Sequence, residues 1–267
     1  MSADRPDRAP WPWRVVAGYE CRELWVGGRG PGLVLALSLL LGAVTYLTAT
    51  NRLLNYLEQR ESVNLLLQVA VGVGVLVTMV VSADAVSGER ERGTLETLLL
   101  TPIPHRQLLA GKLIGALTLW TAALLVTVPY LWVLGQGVGA TGPALLAAAL
   151  VGTLLAVGLA AFGLVFSGLA GSNRTSLAGS LLLLLALFAP TQLPAGARQG
   201  RLGDLLLRLN PVASAEHYLG AVLVTGHGWT RDLSYLVSPA LTALVAGSWL
   251  VLAADRLVRL DVRGAAR

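Results

Sequence analysis

Long stretches without a charged side chain constrain this sequence more than any other feature. Five such stretches interrupt the chain. Four of them are about 22 residues long and one is about 61, and about 20 helical residues cross the roughly 30 Å hydrocarbon core of a bilayer. They lie between Arg29 and Arg52, Glu61 and Asp84, Lys112 and Arg174, Arg174 and Arg198, and Asp232 and Asp255. The chain is therefore expected to cross a membrane several times.

The longest stretch holds two spans and a turn, because helix-breaking residues cluster in its middle over 135–143. Together with the four shorter stretches, this predicts six membrane-spanning helices. Their approximate limits are 33–50, 62–83, 113–134, 144–170, 175–188 and 233–254.

Composition supports a membrane protein over a soluble or disordered one. Charged residues make up 13% of the chain and hydrophobic residues 55%, whereas about a quarter of a soluble domain is charged. Disordered chains are poor in apolar residues, which excludes that class. The single cysteine, Cys21, allows neither an intrachain disulfide nor a cysteine-based metal cluster.

The basic residues predict the orientation of the chain. With the N-terminus in the cytoplasm, 14 of the 20 Lys and Arg residues fall on the cytoplasmic side and six on the other. This bias follows the positive-inside rule, and six spans place both termini in the cytoplasm. The net charge of +5 is thus explained by topology, and we expect no nucleic-acid partner. Membrane lipids are expected partners.

The predicted fold is an all-α membrane protein with one transmembrane domain over 13–256. A disordered tail at 1–12 precedes it, and a basic cytoplasmic tail at 257–267 follows it. Residues 13–26 are predicted to form a helix lying on the cytoplasmic membrane surface, since its tryptophans suit the headgroup layer. Between spans 5 and 6, two short helices near 202–209 and 213–224 are predicted as an outer or re-entrant pair.

Two amides at the start of span 2, Asn64 and Gln68, are four residues apart and share a helical face. In lipid, such side chains seek hydrogen-bond partners across a helix interface. Lining of a substrate path is the alternative, and we favour packing.

The longest cytoplasmic loop, from Asp84 to Lys112, carries the strongest functional pattern. Its charges alternate in sign over Glu89, Arg90, Glu91 and Arg92, which suits a solvated docking surface. A short amphipathic helix is expected to follow, lying across the cytoplasmic ends of spans 2 and 3.

Each position of this predicted coupling helix has a physical reason. Gly93 interrupts the preceding helix and Thr94 caps the next one, with Glu96 near its positive end. Leu95, Leu98 and Leu99 form its apolar stripe. Pro102 ends the helix, and Pro104 starts the helix that runs into span 3. A plain solvated connector would show the same local pattern.

A family resemblance favours the docking interpretation. The run from Glu89 to Leu99, followed by Thr101-Pro102 and by Gly111-Lys112, resembles the signature of ABC-2 type transporter permeases. In that family this segment is the coupling helix region after span 2. The absence of a large extracellular domain is similar to the gliding-motility and nitrous-oxide-reductase-maturation permeases.

The resemblance implies a permease subunit of an ABC transporter, commonly an exporter, that works by alternating access. ATP-Mg would be bound and hydrolysed by a separate ABC ATPase subunit, since this chain has no Gly-x-x-x-x-Gly-Lys-Ser/Thr phosphate loop. This chain itself would bind no cofactor or metal. A second permease, identical or homologous, would complete the transporter in the plasma membrane of a prokaryote.

Two other function classes fit the sequence less well than an ABC transporter permease. A channel or secondary transporter that needs no ATPase usually places ionisable residues within its spans, and the predicted spans contain none. An intramembrane enzyme is disfavoured because the sequence has neither His-Glu-x-x-His nor Gly-x-Ser-x-Gly. The chain is therefore expected not to be an enzyme.

Overall fold

The computed structural model of the protein describes residues 12–50, 56–95, 100, 103–136, 139–192, 201–226 and 229–258. Every regular element in these ranges is helical. The N-terminal half contains α1 (Pro12–Val26), α2 (Arg29–Ala49), α3 (Tyr56–Asp84), α4 (Ser87–Glu91) and α5 (His105–Gly135). The C-terminal half contains α6 (Thr141–Leu169), α7 (Asn173–Phe188), α8 (Arg201–Leu209), α9 (Pro211–Leu223), α10 (Val237–Leu252) and α11 (Ala254–Leu257).

Six helical segments within the described residues are long and apolar enough to cross a membrane, which confirms the predicted fold class. They contain α2, α3, α5, α6, α7 and α10. Several of these helices begin before the predicted limits of the membrane spans themselves. The helix of span 3 starts at His105, so Lys112 lies within it.

Helices α3 and α6 form the centre of the bundle. Helix α3 packs against α2, α5, α6, α7 and α9, and α6 also packs along α10. About half of the most apolar window of α3 and α6 is buried, against 11% for α2. The exposed apolar faces of α2, α7 and α10 are suited to lipid or to another membrane subunit.

The buried apolar residues form two clusters, one towards each end of the bundle. The larger cluster includes Leu66, Trp120 and Tyr218 and lies around the start of α3 and α9. The smaller one surrounds the loop between α3 and α5 and includes Val16, Leu95 and other side chains from α5, α6, α10 and α11.

Three helix starts have side-chain or proline signals that explain them. Ser172 accepts a hydrogen bond from Thr175 N at the start of α7. Asn210 accepts from Val212 N and Ala213 N, with Pro211 as the first residue of α9. Pro104 occupies the N-cap of α5, the helix whose start was assigned to this proline.

The described residues begin and end close to the two limits of the predicted transmembrane domain. Helix α1 begins at Pro12, the residue predicted to end the tail, and residues 1–11 lie outside the described residues. At the other end Leu257 and Val258 are buried in the smaller core cluster. The packed domain therefore extends past the predicted boundary at 256, and the rest of the predicted basic tail, 259–267, lies outside the described residues.

Candidate functional site

Lys112 is the centre of an ionic cluster at the end of the bundle that holds the loop. Its side chain has no exposed surface. Its Nζ atom donates to Glu20 Oε1 at 2.6 Å and to Glu89 Oε1 at 2.7 Å. A buried ammonium ion is tolerated only when it is paired and hydrogen-bonded. These two bonds therefore join α1, α4 and α5 at one point.

Asp84, the last residue of α3, is the second centre of the cluster. It forms ion pairs with Arg29 at 3.0 Å and with Arg92 at 3.3 Å. Its Oδ1 atom also accepts a hydrogen bond from Asn173 Nδ2 at 2.7 Å. Through this carboxylate, the starts of α2 and α7 are tied to the end of α3 and to the loop.

Burial makes the pKa of Glu20 higher than its ordinary value. The Lys112 ammonium acts in the opposite direction, but it does not offset the loss of solvation of this carboxylate. Two other carboxylates, Glu89 and Glu23, add to the rise in the pKa. The ion pair between Glu20 and Lys112 therefore weakens on acidification sooner than an exposed pair would.

Further hydrogen bonds fix the end of α3 and the loop to α6 and α7. Ser167 Oγ accepts from Val86 N at 2.9 Å and from Ser87 N at 2.8 Å. Ser176 Oγ donates to Ala83 O at 2.7 Å. The Arg90 guanidinium donates to Ala170 O at 2.6 Å and to Gly168 O at 3.2 Å.

Helix α1 rests in a groove made by two glycines of α5. A Cβ atom on Gly111 would lie 2.7 Å from Val16 Cβ, and one on Gly115 would lie 2.6 Å from Glu20 Cβ. Glycine is thus required for this close approach of the two helices. Trp25 Nε1 donates to Thr118 Oγ1 at 3.1 Å and fixes the far end of α1.

The predicted site residues divide into an exposed group and an internal group. Glu91, Arg92, Gly93 and Thr94 are exposed. Gly93 adopts φ 71°, a left-handed conformation that ends the helical run at this position. The Thr94 hydroxyl donates to Glu89 O at 3.3 Å.

The internal group consists of Glu89, Arg90 and Leu95, which were expected to face a partner but contact other parts of this chain. Glu89 and Arg90 use their charges within the chain, on Lys112 and on the end of α6. Leu95 is 1% exposed and belongs to the chain's own core cluster with Val86 and Leu108. In this structure Leu95 anchors the loop and is not part of an exposed docking surface. Glu96, Leu98, Leu99 and Pro102 lie outside the described residues.

Sequence reasoning missed the internal partners Glu20, Arg29, Asp84, Ser167 and Asn173. A signal for two of these charges was present, because Arg29 and Asp84 each bound a charge-free stretch. From the sequence they are assigned only as boundaries of spans and of the loop. No feature of the sequence indicated that helices so distant in the chain would bring these charges together.

The comparison with protein families agrees with this architecture. The family described as ABC-2 family transporter protein matches residues 28–262, which is most of the chain. The chain belongs to the ABC-2 transporter family. A search of the curated proteins finds no match for it. Membership of the family makes the chain a membrane-spanning transporter subunit and implies association with an ABC ATPase subunit.

Proposed function

We propose that this ABC-2 subunit is an export permease that a separate ATPase drives through the loop between Asp84 and Lys112. ATP-Mg would be bound by that ATPase. A second permease, identical or homologous, would pair with this chain in the plasma membrane of a prokaryote. The chain would be oriented with both termini in the cytoplasm, as the distribution of Lys and Arg favours.

The observation that supports this proposal is that one side of the loop is exposed while the other side is bonded to the helical bundle. One side presents the exposed residues Glu91, Arg92, Gly93 and Thr94. The other side is anchored to the bundle through Lys112 and the neighbouring hydrogen bonds of Ser167 and Arg90. A force applied at the exposed side is therefore transmitted to several spans at once.

The anchors suggest the path of this force. When two ATPase subunits close on ATP, each loop would be pulled together with α1, the end of α3 and the start of α5. Helices α6 and α7 would follow through the bonds of Arg90, Ser167 and Ser176. The membrane bundle would then switch between two states that open a central path to opposite sides.

Exposed apolar faces support pairing with a second permease. Helix α2 exposes Leu35, Leu39 and Leu47 at 62%, 68% and 70% of their surfaces. Lipid covers such a face in a lone subunit, and a second subunit would cover part of it in the transporter. We also propose that the chain belongs with the gliding-motility and nitrous-oxide-reductase-maturation permeases, which lack a large extracellular domain.

The test is co-purification of this chain with an ATPase from the same cells, followed by ATPase and transport assays in vesicles. The Leu98→Asp variant is expected to insert into the membrane but to lose ATP-driven transport, because the proposed apolar contact with the ATPase is removed. Gly247→Ala, in an open part of α10, serves as the control. Transport without any ATPase, or normal transport by Leu98→Asp, would favour a channel or secondary transporter instead.

A further inference from the structure

An open groove runs along one face of α10 and ends at Arg256 in α11. Its volume is about 650 Å³. Its apolar lining includes Leu244, Val245 and Leu252, which are all exposed. The segment from Leu244 to Arg256 is about 18 Å long at 1.5 Å per helical residue, and one leaflet of the roughly 30 Å hydrocarbon core is about 15 Å thick. The groove therefore extends over about one leaflet of a bilayer.

The charged end of the groove is held in position by the residues on either side of Arg256. Leu257 is buried in the smaller core cluster. Asp255 Oδ1 lies 3.1 Å from Nδ1 of His105 at the start of α5. Arg256 itself is exposed and lines the groove. Its guanidinium therefore lies at the end of the bundle that holds the ionic cluster, where α10 approaches the headgroup layer.

The polar side chains of the groove have hydrogen-bonding capacity that the described residues do not use. Arg256 makes no ion pair or side-chain hydrogen bond with the described part of the chain, and Ser248 Oγ and Trp249 Nε1 donate to none of these residues. By contrast, Thr242 of the same helix donates to Ser238 O at 2.8 Å. Unsatisfied polar groups are costly in lipid. These donors therefore favour a ligand that brings acceptor oxygens.

Trp249 forms a fixed wall of the groove. Its ring meets the ring of Phe162 in α6 edge to face, with centroids 6.4 Å apart and an angle of 87° between the planes. Tryptophan is enriched where hydrocarbon meets headgroups, because the indole has both apolar surface and a donor. Towards α11, two apolar side chains come first, the donors Ser248 and Trp249 next, and Arg256 last. This order corresponds to the acyl chain, the ester oxygens and the phosphate of a phospholipid.

We propose that this groove binds one anionic phospholipid, with an acyl chain along Leu244 and Val245 and the phosphate at Arg256. A guanidinium pairs with a phosphate through two parallel hydrogen bonds. Arg256 carries the only charge among the described residues that line the groove. By sequence, the residues that follow, 259–267, add three arginines and one aspartate. A net positive charge next to the membrane attracts anionic lipids.

A second permease fits this face less well than a lipid. A helix of another subunit would contact α10 along the whole span, whereas the groove extends over about one leaflet. Two identical copies paired through this face about an axis along the membrane normal would also bring their Arg256 side chains together. Like charges repel each other, and the described lining residues offer no carboxylate to neutralise them. The charge and the length of the groove therefore both favour a phospholipid.

The experiment uses the full-length chain in phosphatidylcholine nanodiscs that contain a small fraction of phosphatidylglycerol with a diazirine in one acyl chain. After illumination, peptide mass spectrometry locates the cross-links. We expect cross-links within 244–256, and unlabelled phosphatidylglycerol should compete with them. Soluble glycerol 3-phosphate should not compete, because it has no acyl chain. An equal yield from a phosphatidylcholine probe with the same diazirine, or competition by glycerol 3-phosphate, would overturn the proposal.

Arg256→Gln should weaken the binding of the phosphatidylglycerol probe about tenfold, because one charge-assisted contact corresponds to about that factor. Arg174→Gln is the matched control, since it removes an exposed arginine at the same end of the bundle, on α7. It should bind the probe as the unmodified chain does. Equal binding by the two variants would contradict the assignment of the phosphate to Arg256.

A second pair of variants tests the groove with its charge intact. Ser248→Phe should fill the groove and reduce cross-linking, although Arg256 is unchanged. Val251→Phe adds the same ring at an exposed position of α10 that does not line the groove, and it should have no effect. Equal cross-linking by these two variants would show that the lipid is attracted to the surface charge without occupying the groove, and would overturn the proposal.

The remaining test asks whether a second copy of the chain covers this face. In a Cys21→Ser background, Ser248→Cys should form no disulfide between two copies under oxidising conditions. Efficient cross-linking of two copies through this cysteine would show that a permease occupies the groove, which would overturn the lipid assignment. None of these measurements involves ATP or transport, so their results are independent of the proposed function.

Discussion

Two short helices, α1 and α9, dock against opposite ends of the same bundle in different ways. Three of the 15 residues of α1 are buried, whereas ten of the 13 residues of α9 are. Helix α1 is held by the ion pair of Glu20 with Lys112 and by the close approach at Gly111. Helix α9 is held by apolar burial and neutral hydrogen bonds, such as that from Asn210 to Leu187 O at 2.7 Å.

The difference shows which end of the molecule is suited to movement. An amphipathic helix with few buried residues detaches at low cost once its polar anchors are broken, while a buried helix cannot move without opening the core. The anchors of α1 are also shared with the loop proposed to contact the ATPase. We therefore expect variants at the α1 end to change coupling, and variants of the Asn210 cap of α9 to change stability alone.

The largest effect is expected from Lys112→Met. Removal of the fully buried ammonium leaves the partly buried Glu20 and Glu89 near each other without a cation. Loss of one partner of a buried ion pair lowers the free energy of unfolding by about 3–5 kcal/mol. Thermal unfolding of the purified protein in detergent would measure this loss.

The triple variant Lys112→Met, Glu20→Gln, Glu89→Gln is the matched control. It should recover most of the lost stability, because neutral replacement of an entire buried ionic group is often tolerated. A single Lys112→Met variant as stable as the unmodified protein would contradict the importance of the ionic cluster.

Alanine substitutions at Gly111 and Gly247 should change the free energy of unfolding by a smaller amount, and in opposite directions. Gly111→Ala should lower the free energy of unfolding by about 1–3 kcal/mol, because the new methyl group overlaps Val16 and displaces α1. Gly247→Ala meets no atom within 4 Å and should stabilise its helix by about 0.5–1 kcal/mol.

Cys21 of α1 provides the readout for displacement, since it is the one cysteine in the chain. Its reaction with a maleimide should become faster in Gly111→Ala and remain unchanged in Gly247→Ala. Equal rates in the two variants would show that α1 does not depend on the glycine groove.

At the other end of the bundle, Asn210→Ala should lower the free energy of unfolding by about 1–2 kcal/mol, because the side-chain cap of α9 is lost. Because every bond that Asn210 makes here is to a neutral backbone group, the loss should be the same at low and high salt. ATPase coupling should be unaffected. A variant that uncoupled transport while the fold remained intact would remove the proposed difference between the two ends.

The smallest change in the free energy of unfolding is expected for Arg92→Gln. Arg92 is 49% exposed and pairs with Asp84 at 3.3 Å, and exposed pairs contribute about 0.2–1 kcal/mol. The difference in the free energy of unfolding between this variant and the unmodified protein should disappear when the salt concentration is raised, because ions screen exposed charges. A larger loss that persists in high salt would indicate a structural role comparable to that of Lys112.

Much of the fold was predictable because a membrane imposes a simple physical rule. Charges are excluded from the hydrocarbon, so the intervals between them mark the spans, and six helices occur near the predicted positions. Two short helices were expected near 202–209 and 213–224, and α9 begins at Asn210-Pro211, where an amide caps the helix and a proline follows. These features depend on neighbouring residues, which the sequence shows directly.

The candidate site was predicted only in part. The loop from Asp84 to Lys112 was selected from its charges and its family resemblance, and Glu91 and Arg92 of this loop are exposed. Leu95 was expected to face a partner and is instead buried in the chain's own core. An apolar stripe indicates that one face of a helix is covered, but not which molecule covers it.

The sequence by itself determined that this chain is a helical membrane protein with six spans and a charged loop after the second. Only the tertiary structure decided that Lys112 pairs with Glu20, 92 positions away, and that Glu89 completes that pair. The choice among several carboxylates depends on which helices meet, and Gly111 and Gly115 let α1 approach α5 closely enough. Pairing across a bundle is a property of packing, which local sequence does not specify.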